Sequence, residues 1–231
     1  GMDVERSPFV ITGQWEYYPH QFLAAADVPF PEVLYIDAPG MIPDSRGMDI
    51  YRTFRMVLEL PEPGQWAIRI PFFLTAYRLF INGEKVGKVG EPGRTAEETV
   101  LRYFHSMYTY QTNGSTLDLV IEASNFHLYR STVPEVVFGK PNQVYTHYIR
   151  SVGRSLFIVG SLLIIGVLHF FVFAAHPNTR SALPFGVLCM LMVLREVFYG
   201  EMYITALFPH MDMTTYIRFA TLTYYFAVPT S

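Results

Sequence analysis

The segment YFHSMYTY at 103–110 gathers the residue types that saccharide recognition needs. Flat aromatic rings cover the C–H faces of a sugar, and a few fixed polar groups meet its hydroxyls. In an extended strand Tyr103, His105, Met107 and Thr109 share one face, and Phe104, Ser106, Tyr108 and Tyr110 share the other. Whichever face is concave, the opposite one packs in the core. Tyr103, His105 and Tyr108 are therefore candidate ligand contacts. Asn125 and His127, in the SNFH run at 124–127, join them. The competing reading is ordinary packing of a β-rich core. Trp15 reads as a core anchor rather than a binding platform.

A second set of chemistry-bearing residues lies in apolar surroundings. Arg195, Glu196, Glu201 and Arg218 sit in the hydrophobic C-terminal part of the chain. Charges there are costly and face a bundle interior or a cavity. Glu201 falls six residues beyond Arg195, so the two do not share a clean helix face. Arg218 is placed to reach a carboxylate on the preceding segment. Interhelical pairing or interfacial snorkelling competes with a part in signal relay.

Catalytic machinery is not visible. There is no G-x-S-x-G, no Walker loop and no H-E-x-x-H. The seven histidines are scattered, and the lone Cys189 excludes both a disulfide framework and a Cys-rich zinc site. Glu97 and Glu98 are adjacent, so in a strand they point opposite ways, and a solvated loop suits them. GEPG at 90–93 lies in a hairpin context, not between strand and helix, so it is weak as a phosphate loop. Neither catalysis nor a cofactor nor a metal is expected. The net charge of −3 and the absence of a basic run argue against a nucleic-acid partner.

The elements that must position these residues change character along the chain. Of the 231 residues, 51% are hydrophobic and only 16% charged, below the usual quarter or so. Before Arg154 short runs alternate with period two. Phe54, Met56 and Leu58 alternate with Thr53, Arg55 and Glu59; Trp66, Ile68 and Ile70 with Ala67 and Arg69. Tyr77, Leu79 and Ile81 flank Arg78, and Leu117, Leu119 and Ile121 alternate with Asp118 and Glu122. Such runs are half-buried strands. Breaks fall at PEPG 61–64, NGEK 82–85, GEPG 90–93 and NGS 113–115; Asn82-Gly83 and Asn113-Gly114 are the strongest hairpin signals. Many strands with regular turns predict a sandwich or jelly roll. Arg52 falls in the apolar register of its strand. Either it faces the core with a polar partner, or a bulge turns it outward.

After Arg154 charges nearly vanish. Leu156 to Ala175 is a run of twenty residues with no formal charge, enough to cross a hydrocarbon core of about 30 Å. A second apolar segment covers roughly 182–203, and a third begins near Thr215. Short connections predict antiparallel neighbours. Tyr199, Tyr203, Tyr224 and Tyr225 suit an interfacial belt. The expected division is a β-sandwich over 1–140, a linker over 141–153 and a truncated set of transmembrane helices over 154–231. The opening GMDVERSPFV has no apolar leader, and the chain stops inside its third apolar segment, so it reads as a fragment of a larger membrane protein.

These pieces resemble a known family. GQWEYYPHQFL at 13–23 resembles the opening G-x-W-E-F-Y-x-x-x-L of the sensor domains of bacterial receptors with seven transmembrane helices and diverse intracellular signalling modules. APG at 38–40, YRTFRMVLELP at 51–61, AYRLFINGEKVGKVGEPG at 76–93 and LVIEASNFH at 119–127 resemble that family's later boxes, in order. The same boxes resemble the sugar-binding sandwich of family 2 glycoside hydrolases, a galactose-binding-like jelly roll. The apolar sequel resembles the first helices of the receptor module, and Arg195 to Glu201 resembles its R-x-x-x-x-G-E segment. Two features depart from the pattern. Met41-Ile42 replaces a tryptophan after P-G, and HLYRSTVPEVVFG stands where a glycine pair is usual.

The resemblance implies an all-β jelly-roll sandwich followed by antiparallel transmembrane helices, in a bacterial inner (cytoplasmic) membrane. The sandwich would be extracytoplasmic and would take a small molecule or carbohydrate. The bilayer is then a partner, the output module (kinase or cyclase type) lies elsewhere in the protein, and there is room for a homodimer through the full-length receptor. Arg150 and Arg154 before the first span outnumber Arg180 after it, so charge bias alone argues for the opposite orientation. A membrane-anchored carbohydrate-active protein with the sandwich as accessory domain, or a transporter subunit, are the alternatives.

Overall fold

Period-two alternation and turn dipeptides produce twelve strands among the described residues. A computed structural model describes residues 7–23, 33–42, 50–71, 73, 75–102, 106–126, 132–199, 203, 215–216, 218–219 and 221–223. The strands are β1 (Phe9–Val10), β2 (Gly13–Pro19), β3 (Leu34–Ala38), β4 (Gly40–Met41), β5 (Ile50–Glu59) and β6 (Gly64–Ile70). They continue with β7 (Ala76–Ile81), β8 (Glu84–Val89), β9 (Ser106–Thr112), β10 (Thr116–Asn125), β11 (Thr132–Val133) and β12 (Val137–Gly139). A six-stranded sheet runs β3-β2-β5-β10-β7-β8, and a four-stranded sheet runs β1-β12-β6-β9. β4 and β11 pair separately.

The two large sheets share one core. Trp66, Ile68, Ile70 and Phe138 come from the smaller sheet. Trp15, Phe54, Leu79, Ile81, Leu117, Leu119 and Ile121 come from the larger. This is a β-sandwich. The β5–β10 register is unbroken, and Arg52 sits opposite Ala123 in the core parity of β5. It faces inward, not outward through a bulge, and is 2% exposed. Its guanidinium lies beside the Tyr17 hydroxyl. Burial lowers the arginine's pKa, and the tyrosine opposes that loss.

Only one of the two Asn-Gly dipeptides makes a hairpin. Asn82 and Gly83 take φ of 50° and 81° and join β7 to β8, as a primed turn requires. Asn113-Gly114 instead carries the chain from β9 in one sheet to β10 in the other. PEPG at 61–64 also changes sheets, and Leu60 N–H donates to Ser115 O at 2.7 Å, tying the two corners together.

Two helices follow, α1 (Pro141–Ala175) and α2 (Ala182–Tyr199). The stretch 141–153, expected as a linker, is helix. Its start carries the reasons. Pro141 occupies the first helical position, where its fixed φ fits and its missing N–H costs nothing. Gln143 accepts the Lys140 N–H on Oε1 at 3.1 Å, half of a capping box. Residues 1–146 and 147–231 form two compact units, so the first turns of α1 belong with the sandwich. Val144 is fully buried there. Lys140 Nζ donates to Glu62 Oε1 at 2.6 Å and lies 4.1 Å from the centre of the Trp66 ring.

In the second unit Ser155 Oγ donates to Glu196 Oε1 at 2.6 Å, and the His169 and Phe185 rings lie 4.6 Å apart. A Cβ on Gly166 would stand 2.8 Å from Met190 Cε and 3.3 Å from Gly186 O. Small residues bring these backbones close. Among the described residues α1 is the one helix long and apolar enough to cross a membrane, and 6% of its most apolar stretch is buried.

Candidate functional site

Three of the five predicted ligand contacts, Tyr103, His105 and His127, lie outside the described residues, as does Glu201. The other two turn inward. β9 alternates as expected, with Ser106, Tyr108, Tyr110 and Thr112 on the more buried face and Met107, Thr109 and Gln111 exposed. The face with Tyr108 is the core face. Its ring lies on Gly87 of β8, where a Cβ would stand 1.9 Å from Tyr108 Cε1. Its hydroxyl is 3.4 Å from that of Tyr77. Tyr108 thus fills the gap where the edges of the two sheets meet, half-buried against Gly87 and Tyr77. Asn125, 1% exposed, ends β10 in the same parity as Leu119 and Ile121. In the second unit Glu196 accepts from Ser155, while Arg195 and Arg218 are exposed. Arg218 forms no ion pair with the described residues of α2.

The outer face of the six-stranded sheet carries polar rows that the alternation pattern assigns to solvent. Tyr18, Thr53, Glu122, Arg78 and Lys88 are successive neighbours across β2, β5, β10, β7 and β8. Thr53 and Glu122 are nevertheless buried. The chain after β2 covers them. Thr53 Oγ1 donates to Gln21 O at 2.7 Å, and the Arg78 guanidinium lies 5.7 Å from the Phe22 ring centre. Arg78 Nη1 is 3.6 Å from Glu122 Oε2, so the buried carboxylate has its counter-charge.

Beside this row Arg55 bridges Asp118, with Nε–Oδ1 of 2.9 Å, and Glu16, with Nη1–Oε2 of 3.2 Å. Tyr18 donates its hydroxyl to Glu16 Oε2 at 2.8 Å. Burial, then the Glu16 bond and charge, push Tyr18 up to about 12, from 10.0. An unfolded tyrosine ionises first, so the stability this group contributes is complete below about pH 10 and is lost as pH rises through about 12. Ultraviolet titration of the folded chain is expected to find Tyr18 among the last tyrosines to ionise. Glu16→Gln is expected to bring it earlier, and an unchanged titration curve would refute the assignment.

The row ends in a cleft of about 380 Å³ lined by Lys88, Gly90, Glu91, Val100 and Arg102. Its floor is a two-way backbone bridge: Glu91 N–H donates to Val100 O at 2.8 Å, and Val100 N–H to Glu91 O at 2.9 Å. The loop above is braced internally. Gly93 N–H donates to Thr99 Oγ1 at 3.2 Å, and Thr99 Oγ1 donates to Thr95 O at 2.8 Å. Ser124, beside Asn125, ties the loop to β10 by donating to Gly93 O at 2.5 Å. Glu91 accepts from Lys88 Nζ at 2.5 Å and Arg78 Nη2 at 3.0 Å. Lys88, with help from Arg78 and against some desolvation, holds the Glu91 carboxyl below the usual range. Arg102 is exposed and has no ion pair among the described residues. Sequence reasoning missed the cleft, because its cations meet only when residues 90–102 fold back. No metal-binding group of three His, Cys, Asp or Glu occurs among the described residues.

No protein-family model matches the sequence, and no curated protein matches it. Solved structures with a similar fold include Faecalibacterium prausnitzii beta-glucuronidase, at 12% identity and a TM-score of 0.43, covering 58% of this chain and 31% of that one. An uncultured Clostridium sp. beta-glucuronidase has 10% identity and a TM-score of 0.44, covering 58% and 29%. The GH2 beta-galacturonidase from Eisenbergiella tayi bound to galacturonate has 12% identity and a TM-score of 0.38, covering 58% and 25%. This chain therefore spans less than a third of each enzyme. The sandwich assignment rests on the sheets themselves.

Proposed function

We propose that the chain is part of a bacterial membrane signalling receptor. Its β-sandwich binds an extracytoplasmic small molecule or carbohydrate, and α1 and α2 form an antiparallel transmembrane pair within a larger bundle. An output module elsewhere in the protein receives the signal. The observation that carries the reading is the surface of α1. A helix of the same length inside a soluble protein is mostly covered, whereas 6% of the most apolar stretch here is buried, and Phe157, Ile164 and Phe171 are 76%, 68% and 70% exposed. A hydrocarbon surround suits such a helix. Close glycine contact and the Ser155–Glu196 bond suit helix association in lipid.

Thiol labelling tests the orientation. In a Cys189→Ser background, Asn113→Cys puts a single thiol on an exposed corner of the sandwich. In spheroplasts a membrane-impermeant maleimide is expected to label it fully without lysis. Labelling that requires lysis, or a chain recovered in the soluble fraction, overturns the reading.

A further inference from the structure

We infer that the cleft between Lys88 and Arg102 is a binding site for a small monocarboxylate with a C–H face, a carboxylated sugar being the type. The cleft has the right charge. Of its lining residues Lys88 and Arg102 are cations and Glu91 is a carboxylate, two positive charges against one negative, and one monoanion completes the balance. A divalent cation meets the wrong field, and a phosphate dianion exceeds it. The floor cannot supply the recognition, because the Glu91 and Val100 amides already donate to each other. Side chains must do it. Arg102 has no ion pair among the described residues, and its planar guanidinium matches a carboxylate in two parallel hydrogen bonds. Lys88 is half exposed, and its pair with Glu91 is a surface pair that exchanges readily for a second carboxylate. Val100, 50% exposed, offers the apolar wall against which a ligand's C–H face can lie. The bonds of Thr99 and Ser124 to Gly93 brace the loop that leads into Val100.

This names a ligand class for the sensor reading and rests on that reading for its biological meaning. The test does not depend on membrane orientation, so either can fail alone. Saturation-transfer NMR on the full chain in detergent, with sodium glucuronate as probe, reads the cleft; glucose and sodium phosphate are the controls. Saturable transfer to glucuronate at millimolar concentration is expected, with none to glucose and no competition by phosphate. Arg102→Gln is expected to weaken binding about tenfold and Lys88→Gln about threefold. Arg94→Gln, an exposed arginine that does not line the cleft, is expected to leave it unchanged. Both cleft positions are exposed, so near-ultraviolet circular dichroism should show intact folding. No saturable transfer to glucuronate overturns the inference. So does equal binding of glucose or phosphate, or a loss with Arg94→Gln as large as with Arg102→Gln.

Discussion

Gly90→Ala is expected to destabilise the sandwich by about 3 kcal/mol, whereas Gly83→Ala costs about 1 kcal/mol. Both glycines have positive φ, 67° and 81°, so an L side chain pays similar backbone strain at each. They differ in what the new methyl meets. Around Gly83 nothing lies within 4 Å. At Gly90 the Cβ would stand 2.2 Å from Val100 O and 3.0 Å from Arg102 N. These are backbone atoms, and no rotamer change relieves them. Val100 O also accepts the Glu91 N–H, so retreat breaks the floor of the cleft. Overpacking of this kind typically adds about 1–3 kcal/mol. The measurement is simple because the protein has two tryptophans, Trp15 and Trp66, both buried in the sandwich. Denaturant titration followed by tryptophan fluorescence therefore reports on the sandwich and not on the helices. Equal losses at the two positions would mean that the loop at 90–100 yields freely, and the braced cleft would go with it.

The contrast between these glycines bears on what the sequence discloses. Asn82-Gly83 is legible because its conformational demand is local: two residues of positive φ between alternating runs leave little but a hairpin. Asn113-Gly114 looks the same in sequence and does something else. A bend dipeptide says where the chain turns, not which sheet the next strand joins; here β9 pairs with β6 while β10 pairs with β5 and β7. The same limit governs the outer face. Glu122 and Arg78 alternate with core residues and so read as solvated, yet Glu122 is buried, and the chain at Gln21 and Phe22 returns over its neighbours Thr53 and Arg78. Arg102 and Lys88 meet for an equally non-local reason. Tyr108 and Asn125 stand out by residue type, and their strand parity puts both on the core side. That parity was visible in the sequence; which face looked inward was not. The apolar run of α1 needs no tertiary knowledge to be seen. Its first turns were obscured by polar residues, although Pro141 at the first helical position and Gln143 two residues later were start signals.

Trp66→Ala is expected to cost about 3–5 kcal/mol, the largest loss of any single substitution proposed for this chain. Trp66 is 1% exposed and stacks on Phe138 with centroids 5.0 Å apart and planes 12° from parallel. Removing it opens a cavity between β6 and β12 that the small four-stranded sheet cannot close by side-chain rotation alone. The loss also reaches α1. The Lys140 ammonium sits over the Trp66 ring, while the Lys140 carbonyl accepts the Gln143 and Val144 N–H groups at 3.0 and 3.1 Å. One residue thus anchors to the sheet and caps the helix. Lys140→Gln is expected to cost under about 1 kcal/mol, because the cation–π contact is at a surface and the Glu62 pair is exposed. Trp66→Phe keeps a ring against Phe138 and is expected to fall between the two. Trp15 remains as the fluorescent reporter in every variant. Amide exchange at Val144 reads the second effect: Trp66→Ala is expected to speed it at least tenfold more than the loss of global stability requires, and Lys140→Gln to speed it with little global loss. Should Val144 exchange track global unfolding alone in both variants, the helix start would not depend on this contact, and its order would have to come from the burial of Val144 itself.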